Sequence, residues 1–280
     1  MGEKKAKQHN RERLLRENPN CIYCGRGAET EDHCPPRCFF EERKWPESYS
    51  FAACHACNQG ARADEQVLAV LIRGTTSNSS ANALQEWKRL YDAVRNNNPD
   101  ILTEWKLSRS RRDVRHTMRD SFGTPGDRMR REGWGPVCIG PLTQSAINRF
   151  TIKLGKALYY RHNKEILDGI VYSCHLNTLN DPSPVASLLS FKDLSPWVAI
   201  TEQGKKPLSD QFIYRFLSHE ALGGVHAIVR FTDQFIFSIL AVRHDLDGEI
   251  HEGILPVDQN LVANFRHDCL LKYGMVDLST

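Results

Sequence analysis

Two pairs of cysteines near the N-terminus have the spacing of metal ligands. Cys21 and Cys24 form one CxxC pair, and Cys54 and Cys57 form a second. A CxxC pair places two thiolates on one tight turn, so two such turns supply the four sulfurs of a tetrahedral zinc ion. Reduced cysteines can also pack as small hydrophobic residues. The spacing favours a structural zinc site formed by all four.

The remaining cysteines do not suggest a disulfide framework. The chain has 9 cysteines, which is an odd number, and disulfides need an oxidising compartment that nothing in the sequence indicates. Cys34 and Cys38 lie between the two pairs, on either side of a Pro-Pro-Arg segment. We expect neither of them to bind the zinc ion.

The segment between and just after the pairs contains residues whose types suit metal binding and proton transfer. Asp32 and His33 are adjacent there, and Asn58 directly follows the second pair. Imidazole titrates near neutral pH and can deprotonate water, whereas carboxylate and amide oxygens bind hard divalent cations. Adjacent residues of a strand point to opposite faces. A twist or a bulge is therefore expected to bring Asp32 and His33 to one metal ion.

The stretches CIYCG, EDHCPPRCFF and ACHACNQGARADE resemble the HNH endonuclease family. In that family a CxxC pair, a strand ending in Asp-His, a proline and a second CxxC followed by Asn form a ββα fold around one catalytic metal. The resemblance implies that His33 is the general base and that Asp32 and Asn58 bind a catalytic Mg²⁺ or Mn²⁺ ion. We also expect Asn58 to open a helix as its N-cap.

Two arginines are candidates for binding the substrate phosphates. Many relatives have His, Asn or Lys about one helical turn after the Asn, where this sequence has Ala61 and Arg62. Arginine does not ligate metals but binds phosphate oxygens through paired hydrogen bonds, so we assign Arg62, and also Arg37, to phosphates. Asp64 and Glu65 could support the metal site. Surface charge is the simpler interpretation, and we favour it for Glu65.

Hydrophobic periodicity predicts an α+β protein with two domains joined by a basic segment. Residues 1–105 are expected to form the zinc-stapled nuclease domain with flanking helices, and residues 106–133 a basic helix followed by an exposed linker. Residues 134–280 are expected to form a second α+β domain with an antiparallel sheet, in which runs 225–231 and 235–243 make a hairpin. This part loosely resembles one bacterial branch of HNH proteins, where its role is unassigned.

The charge of the 280-residue chain is small overall but unevenly distributed. The net charge is +3, made up of 24 Lys and Arg against 19 Asp and Glu in residues 1–133 and 13 against 15 in the remainder. The first part could bind a polyanion or present a mildly basic surface. The sequence lacks a run long enough to span a membrane and an apolar N-terminal signal, which predicts a cytoplasmic protein with no membrane partner.

These observations predict a DNA endonuclease that depends on a divalent metal and nicks one strand at its single active site. Nucleases of this kind often belong to restriction or anti-phage defence systems, whose other proteins are then candidate partners. The alternative is a zinc-stabilised nucleic-acid-binding or regulatory module without catalysis. RNA cleavage is a third alternative, but the sequence has no clear aromatic RNA-binding motif. The sequence does not indicate an oligomeric state.

Overall fold

A computed structural model describes residues 2–41, 44–74, 80–106, 111–131, 135–176, 198–200, 208, 211–219, 223–232, 235–243 and 268–271. The helices in these ranges are α1 (Gly2–Glu17), α2 (His55–Gly60), α3 (Arg62–Gly74), α4 (Ala81–Asn97), α5 (Pro99–Lys106), α6 (Arg111–Phe122), α7 (Thr124–Arg131) and α8 (Pro141–Asn163). The strands are β1 (Thr30–His33), β2 (Ser50–Ala53), β3 (Gly135–Cys138), β4 (Ile170–Leu176), β5 (Val198–Ile200), β6 (Ile213–His219), β7 (Gly224–Arg230), β8 (Ile236–Val242) and β9 (Asp268–Leu271). The α+β class predicted from the sequence is confirmed.

The N-terminal part is a short β-hairpin covered by helices. Strands β1 and β2 pair antiparallel, and α2 follows β2 directly. Helix α1 lies against both strands. Helix α3 carries the apolar run 67–72, all of it buried, and ends at Gly74. Its buried face therefore fastens the hairpin region to the core.

The basic segment forms two helices instead of a helix and a linker. Helices α6 and α7 are separated only by Gly123, whose φ of +60° suits glycine. The predicted helix is present, whereas residues 124–131 form a second helix and not an irregular linker, and most of their described side chains are exposed as predicted. Proline is tolerated in the first turn of a helix, so Pro125 does not prevent α7 from forming.

Helix α8 crosses the five-stranded sheet, whose order is β4-β8-β7-β6-β5 with every neighbouring pair antiparallel. The hairpin predicted between β7 and β8 is confirmed, and β8 is buried along its whole length. A Cβ added at Gly155 of α8 would lie 2.5 Å from Val171 Cγ1 and 2.9 Å from Ile239 Cγ2. Glycine at this position therefore allows α8 to approach the sheet closely.

The N-terminus of α8 is capped by a side chain from another helix. The N-cap residue, Gly140, has no side chain to offer, and the Glu104 carboxylate of α5 accepts hydrogen bonds from the backbone N–H groups of Gly140, Leu142 and Thr143. These N–H groups have no partner within the helix, so Glu104 satisfies them and fixes α5 against the start of α8.

The hydrophobic core runs continuously from the cysteine region to the sheet. Phe39, which follows the Asp-His segment, lies 5.0 Å from Phe150 of α8 and 5.3 Å from Phe231 at the end of β7, measured between ring centroids. The predicted domain boundaries at 105 and 133 stay predictions. Among the described helices, none combines the length and apolar character needed to cross a membrane.

Candidate functional site

The four cysteines of the two CxxC pairs come together as predicted. The Sγ atoms of Cys21, Cys24, Cys54 and Cys57 all lie within 4.8 Å of one another, and those of Cys24 and Cys54 are 3.7 Å apart. Tetrahedral Zn–S bonds of about 2.3 Å place two sulfurs roughly 3.8 Å apart. The cluster therefore has the size and donor set of a structural zinc site.

Hydrogen bonds favour the ionised form of one of the four thiols. Partial desolvation opposes ionisation of Cys24, but the hydrogen bond from Arg26 Nε and the other hydrogen bonds to its Sγ together outweigh it and lower the pKa to about 6. Burial raises the pKa of Cys21 and of Cys57. Thiolates, and not thiols, bind the metal. Cys34 and Cys38 lie outside the cluster, and burial raises the pKa of each thiol.

The cluster fixes helix α2 against the hairpin. Cys54 caps α2, because its Sγ accepts a hydrogen bond from the backbone N–H of Cys57. The prediction that Asn58 is the N-cap is therefore wrong. Asn58 lies inside the helix, and its amide Nδ2 donates to Thr30 Oγ1 at 3.0 Å and to the Glu31 carbonyl at 3.3 Å. It ties α2 to β1.

Strand β1 sends its side chains alternately to two faces. Thr30 and Asp32 are buried, whereas Glu31 and His33 are partly exposed. The pairing with β2 is regular from Thr30 opposite Ala53 to His33 opposite Ser50. No bulge interrupts this described pairing, and the alternating burial places the Asp32 and His33 side chains on opposite faces of the strand.

The exposed face of β1 forms one wall of a cleft of about 890 Å³. Helix α1 forms the opposite wall. The lining residues are Lys7, Gln8, Arg11, Glu12, Leu15, Thr30, Glu31, His33, Arg37, His55 and Gln59. The cleft therefore combines three permanent cations, two carboxylates and two imidazoles.

His33 is oriented by its neighbours within the cleft. Its Nδ1 lies 2.9 Å from Ser50 Oγ, and its Nε2 lies 3.7 Å from Glu31 Oε1. Burial, and next the Arg37 guanidinium, lower the pKa of His33 below its ordinary value. The imidazole is therefore neutral at pH 7, which is the state that can accept a proton.

The two predicted phosphate-binding arginines have different environments. Arg37 lines the cleft, and its guanidinium carbon lies 4.6 Å from the ring centroid of Trp45. Arg62 is exposed at the start of α3, where it donates to Gln59 Oε1 at 2.9 Å. The structure brings Arg37, and not Arg62, to the wall of the cleft that contains His33.

Asp32 points into the protein and is paired with a lysine from α8. Its Oδ2 accepts a hydrogen bond from the Tyr23 hydroxyl at 2.6 Å and lies 2.9 Å from Lys153 Nζ. The same ammonium lies 2.6 Å from Glu65 Oε1. Asp32, Lys153 and Glu65 are only 5%, 7% and 8% exposed. The interpretation of Glu65 as surface charge is therefore wrong.

The charges of this buried group are not balanced. Burial disfavours the charged form of Lys153, but the Asp32 and Glu65 carboxylates outweigh this effect and raise the pKa of the ammonium. Burial also raises the pKa of Glu65 to about 7, although Lys153 acts in the opposite sense. One ammonium cannot neutralise two carboxylates, so the second carboxyl group keeps its proton to a higher pH.

This arrangement does not fit the catalytic ion that the sequence predicts at Asp32 and Asn58. A Mg²⁺ ion binds carboxylate oxygens at about 2.1 Å, and at Asp32 Oδ2 it would meet the Lys153 ammonium, which is a like charge in a buried setting. The amide nitrogen of Asn58 is engaged with β1. On the buried face of β1, the Lys153 ammonium therefore lies at the carboxylate where the sequence predicts a metal ion.

Sequence reasoning did not identify Tyr23, Glu65 or Lys153 as parts of this group. A signal for two of them exists. Lys153 lies on the same helical stripe as the buried Phe150 and Ala157, and Glu65 lies three residues before the buried Leu68. A charged residue on an apolar stripe indicates a buried ion pair.

Comparisons with known proteins found no match, whether against protein-family models, curated proteins or solved structures. The resemblance to the HNH family rests on the quoted sequence stretches. The arrangement of cysteine cluster, hairpin and helix is a property of this structure.

Proposed function

We propose that this protein hydrolyses phosphodiester bonds in nucleic acid and that His33 is its general base. The observation that carries the proposal is the position of His33 in an open cleft with three cations, on a hairpin and helix fastened by four cysteines. The resemblance of the same segment to HNH endonucleases supports it. DNA is the proposed substrate, and one site of this kind cuts one strand.

The protonation state of His33 supports its role as a base. A general base must be neutral before the reaction, and the lowered pKa of His33 keeps it so at neutral pH. When Nδ1 donates its proton to Ser50 Oγ, the lone pair of Nε2 is left to accept a proton from water. Ser50 then fixes both the orientation and the tautomer of the ring.

The cations around the cleft support a phosphate-containing substrate. Lys7 and Arg11 of α1 line the cleft together with Arg37, and each can bind a phosphate oxygen. Arginines on helices α6 and α7 add to the positive surface, since Arg112, Arg115, Arg119, Arg130 and Arg131 are all exposed. The role of Arg62 in phosphate binding stays a prediction.

The decisive experiment is a supercoiled-plasmid assay with zinc-loaded protein and added Mg²⁺. We expect wild type to produce open circles slowly and His33→Ala to lose activity by about 10²–10⁴-fold at unchanged zinc content. His55→Ala is the matched control, because His55 lines the same cleft but is not assigned a proton-transfer role. Equal loss in both variants, or equal activity of wild type and His33→Ala, would contradict the proposal.

A second function is favoured by the state of Asp32. Its carboxylate is buried against Lys153, as expected for a zinc-stabilised nucleic-acid-binding or regulatory module that has no catalysis. Such a module would bind oligonucleotides with a salt-dependent affinity and would leave the plasmid intact under every condition. Binding without cleavage would therefore select this function. Membership of a restriction or defence system is part of the nuclease proposal alone.

A further inference from the structure

We propose that Lys153 is a tethered cation that occupies the Asp32 carboxylate in place of a divalent ion, so that helix α8 holds the candidate nuclease site in a metal-excluding state. The consequence of this Lys153 pairing for cleavage rests on the proposed function, but the exclusion of the metal ion does not. Binding of a divalent ion at Asp32 and insertion of Lys153 are then mutually exclusive.

The geometry gives Lys153 the place of a bound ion. Its Nζ lies between oxygens of two carboxylates from different elements, at 2.9 Å from Asp32 on β1 and 2.6 Å from Glu65 on α3. The Tyr23 hydroxyl donates to the same Asp32 oxygen, and the Tyr23 ring centroid lies 5.4 Å from the ammonium. Oxygen ligands from separate elements around one cation are the usual composition of a hard-metal site.

The charge of the group also favours an exchange. Asp32 and Glu65 together supply two negative charges when ionised, and Lys153 supplies only one positive charge. A divalent ion would neutralise both carboxylates. Buried charges are costly unless they are balanced, so removal of the ammonium leaves a carboxylate pair that favours a divalent ion over an empty site.

Helix α8 is fastened over this site by further polar contacts. Arg149 pairs with Asp64 through Nε at 2.7 Å and Nη2 at 2.6 Å. Lys156 Nζ donates to the Tyr23 carbonyl at 2.9 Å. Residues 149, 153 and 156 lie on one helical face, which is directed at the N-terminal part. Withdrawal of Lys153 therefore requires the loss of several contacts of α8, as a binding partner or nucleic acid could bring about.

The test measures binding of Mn²⁺ to zinc-loaded, full-length protein by electron paramagnetic resonance of the free ion. We expect wild type and Asp32→Asn to bind Mn²⁺ equally, because Asp32 is already occupied. Lys153→Met should gain one Mn²⁺ site, and Lys153→Met combined with Asp32→Asn should lose it again. Lys156→Met is the matched control, since Lys156 contacts a carbonyl oxygen on the same helix face, and it should gain no site.

Two results would overturn the inference. One is Mn²⁺ binding by wild type that Asp32→Asn removes, and the other is a zinc-loaded, folded Lys153→Met that gains no Mn²⁺ site. If Lys153→Met does not fold, Lys153→Gln, which also removes the positive charge, takes its place in the same comparison. Plasmid nicking is measured in parallel with the same proteins. A Lys153→Met protein that gains a Mn²⁺ site but does not nick the plasmid would uphold the inference and count against the proposed hydrolysis. A Lys153→Met protein that nicks without gaining a site would do the reverse.

Discussion

Charged side chains on the two faces of strand β1 have opposite environments, since one face is buried and the other lines the cleft. On the buried face, the Asp32 carboxylate is enclosed: it accepts a hydrogen bond from the Tyr23 hydroxyl and pairs with the Lys153 ammonium. On the cleft face, Glu31 and His33 have 22% of their side chains exposed beside the cations of α1. Three consecutive residues thus contribute to a closed ion-pair group and to an open site.

The difference shows that burial, and not residue type, separates a structural carboxylate from one that can meet a ligand. Both faces contain an acid, but among the described contacts only the acid on the buried face is paired with a permanent cation. A buried pair is held by low dielectric and by the cost of leaving either charge alone, whereas a solvated pair is weak and exchanges readily. The cleft face is therefore the one that can bind a substrate in the described state.

The largest effect is expected when the cysteine cluster is broken, because both faces of strand β1 then lose their structure. Cys57→Ser should abolish zinc binding and unfold the hairpin region, because structural zinc contributes on the order of 10 kcal/mol to the folding of small zinc modules. Zinc content and thermal unfolding by circular dichroism measure this. Cys38 lies outside the cluster, so the Cys38→Ser variant should keep its zinc. Loss of zinc from this variant would contradict the assigned ligand set.

The next effect separates the two faces directly. Lys153→Met leaves two buried carboxylates without their cation and should lower the free energy of unfolding by about 3–5 kcal/mol in metal-free buffer with zinc retained. His33→Ala, on the open face, should cost less than about 1 kcal/mol. Urea unfolding at pH 8 measures both. Adding Asp32→Asn and Glu65→Gln to Lys153→Met should restore most of the loss, and failure to do so would show that packing, not charge, holds α8.

The buried face should also give stability a pH dependence. Folding raises the pKa of Glu65 from 4.5 to about 7, so the folded protein binds this proton more tightly than the unfolded chain. The contribution is complete below about pH 4.5 and is lost as the pH rises to about 7, and a shift of this size corresponds to about 3 kcal/mol.

Urea unfolding of wild type and Glu65→Gln between pH 5 and pH 8 isolates this effect from other titrating groups. Wild type should lose stability relative to Glu65→Gln as the pH rises, because the amide does not ionise. A constant difference across this range would mean that Lys153 keeps Glu65 ionised throughout.

The smallest expected effect tests the open face. Arg37→Gln should weaken binding of a short DNA duplex by roughly tenfold, or about 1.4 kcal/mol, because Arg37 lines the cleft. Arg62→Gln should change affinity less, since Arg62 does not line the cleft and only donates to Gln59 at its edge. Fluorescence anisotropy over a salt series measures both. The opposite ranking would move the phosphate path to the start of α3.

The sequence predicts the parts of the site that depend on local chain geometry. CxxC spacing alone identifies the four clustered sulfurs, because each pair lies within one turn. The sequence also predicts that side chains alternate along β1, but it does not predict which face is buried and which lines the cleft. A bulge was expected because the HNH roles of Asp32 and His33 require a shared metal. The pairing is instead regular through His33, and Tyr23 and Lys153 satisfy Asp32 on the buried face.

The parts that the sequence does not predict depend on contacts between distant segments. Lys153 approaches Asp32 only because α8 packs on α3 and on the sheet at the same time. Periodicity places Lys153 and Glu65 on apolar stripes, but it does not say that these stripes face each other. The glutamate cap of α8 is similar, since Glu104 and Gly140 are joined only by the packing of α5.

The pairing of Asp32 with Lys153 has a consequence for the order in which the chain is made. A ribosome releases the hairpin and α3 long before α8, so for part of synthesis Asp32 and Glu65 lack the cation that later balances them. During that interval neither carboxylate can form the ion pairs that it has in the folded protein. Release of α8 then supplies the Lys153 ammonium that pairs with both of them.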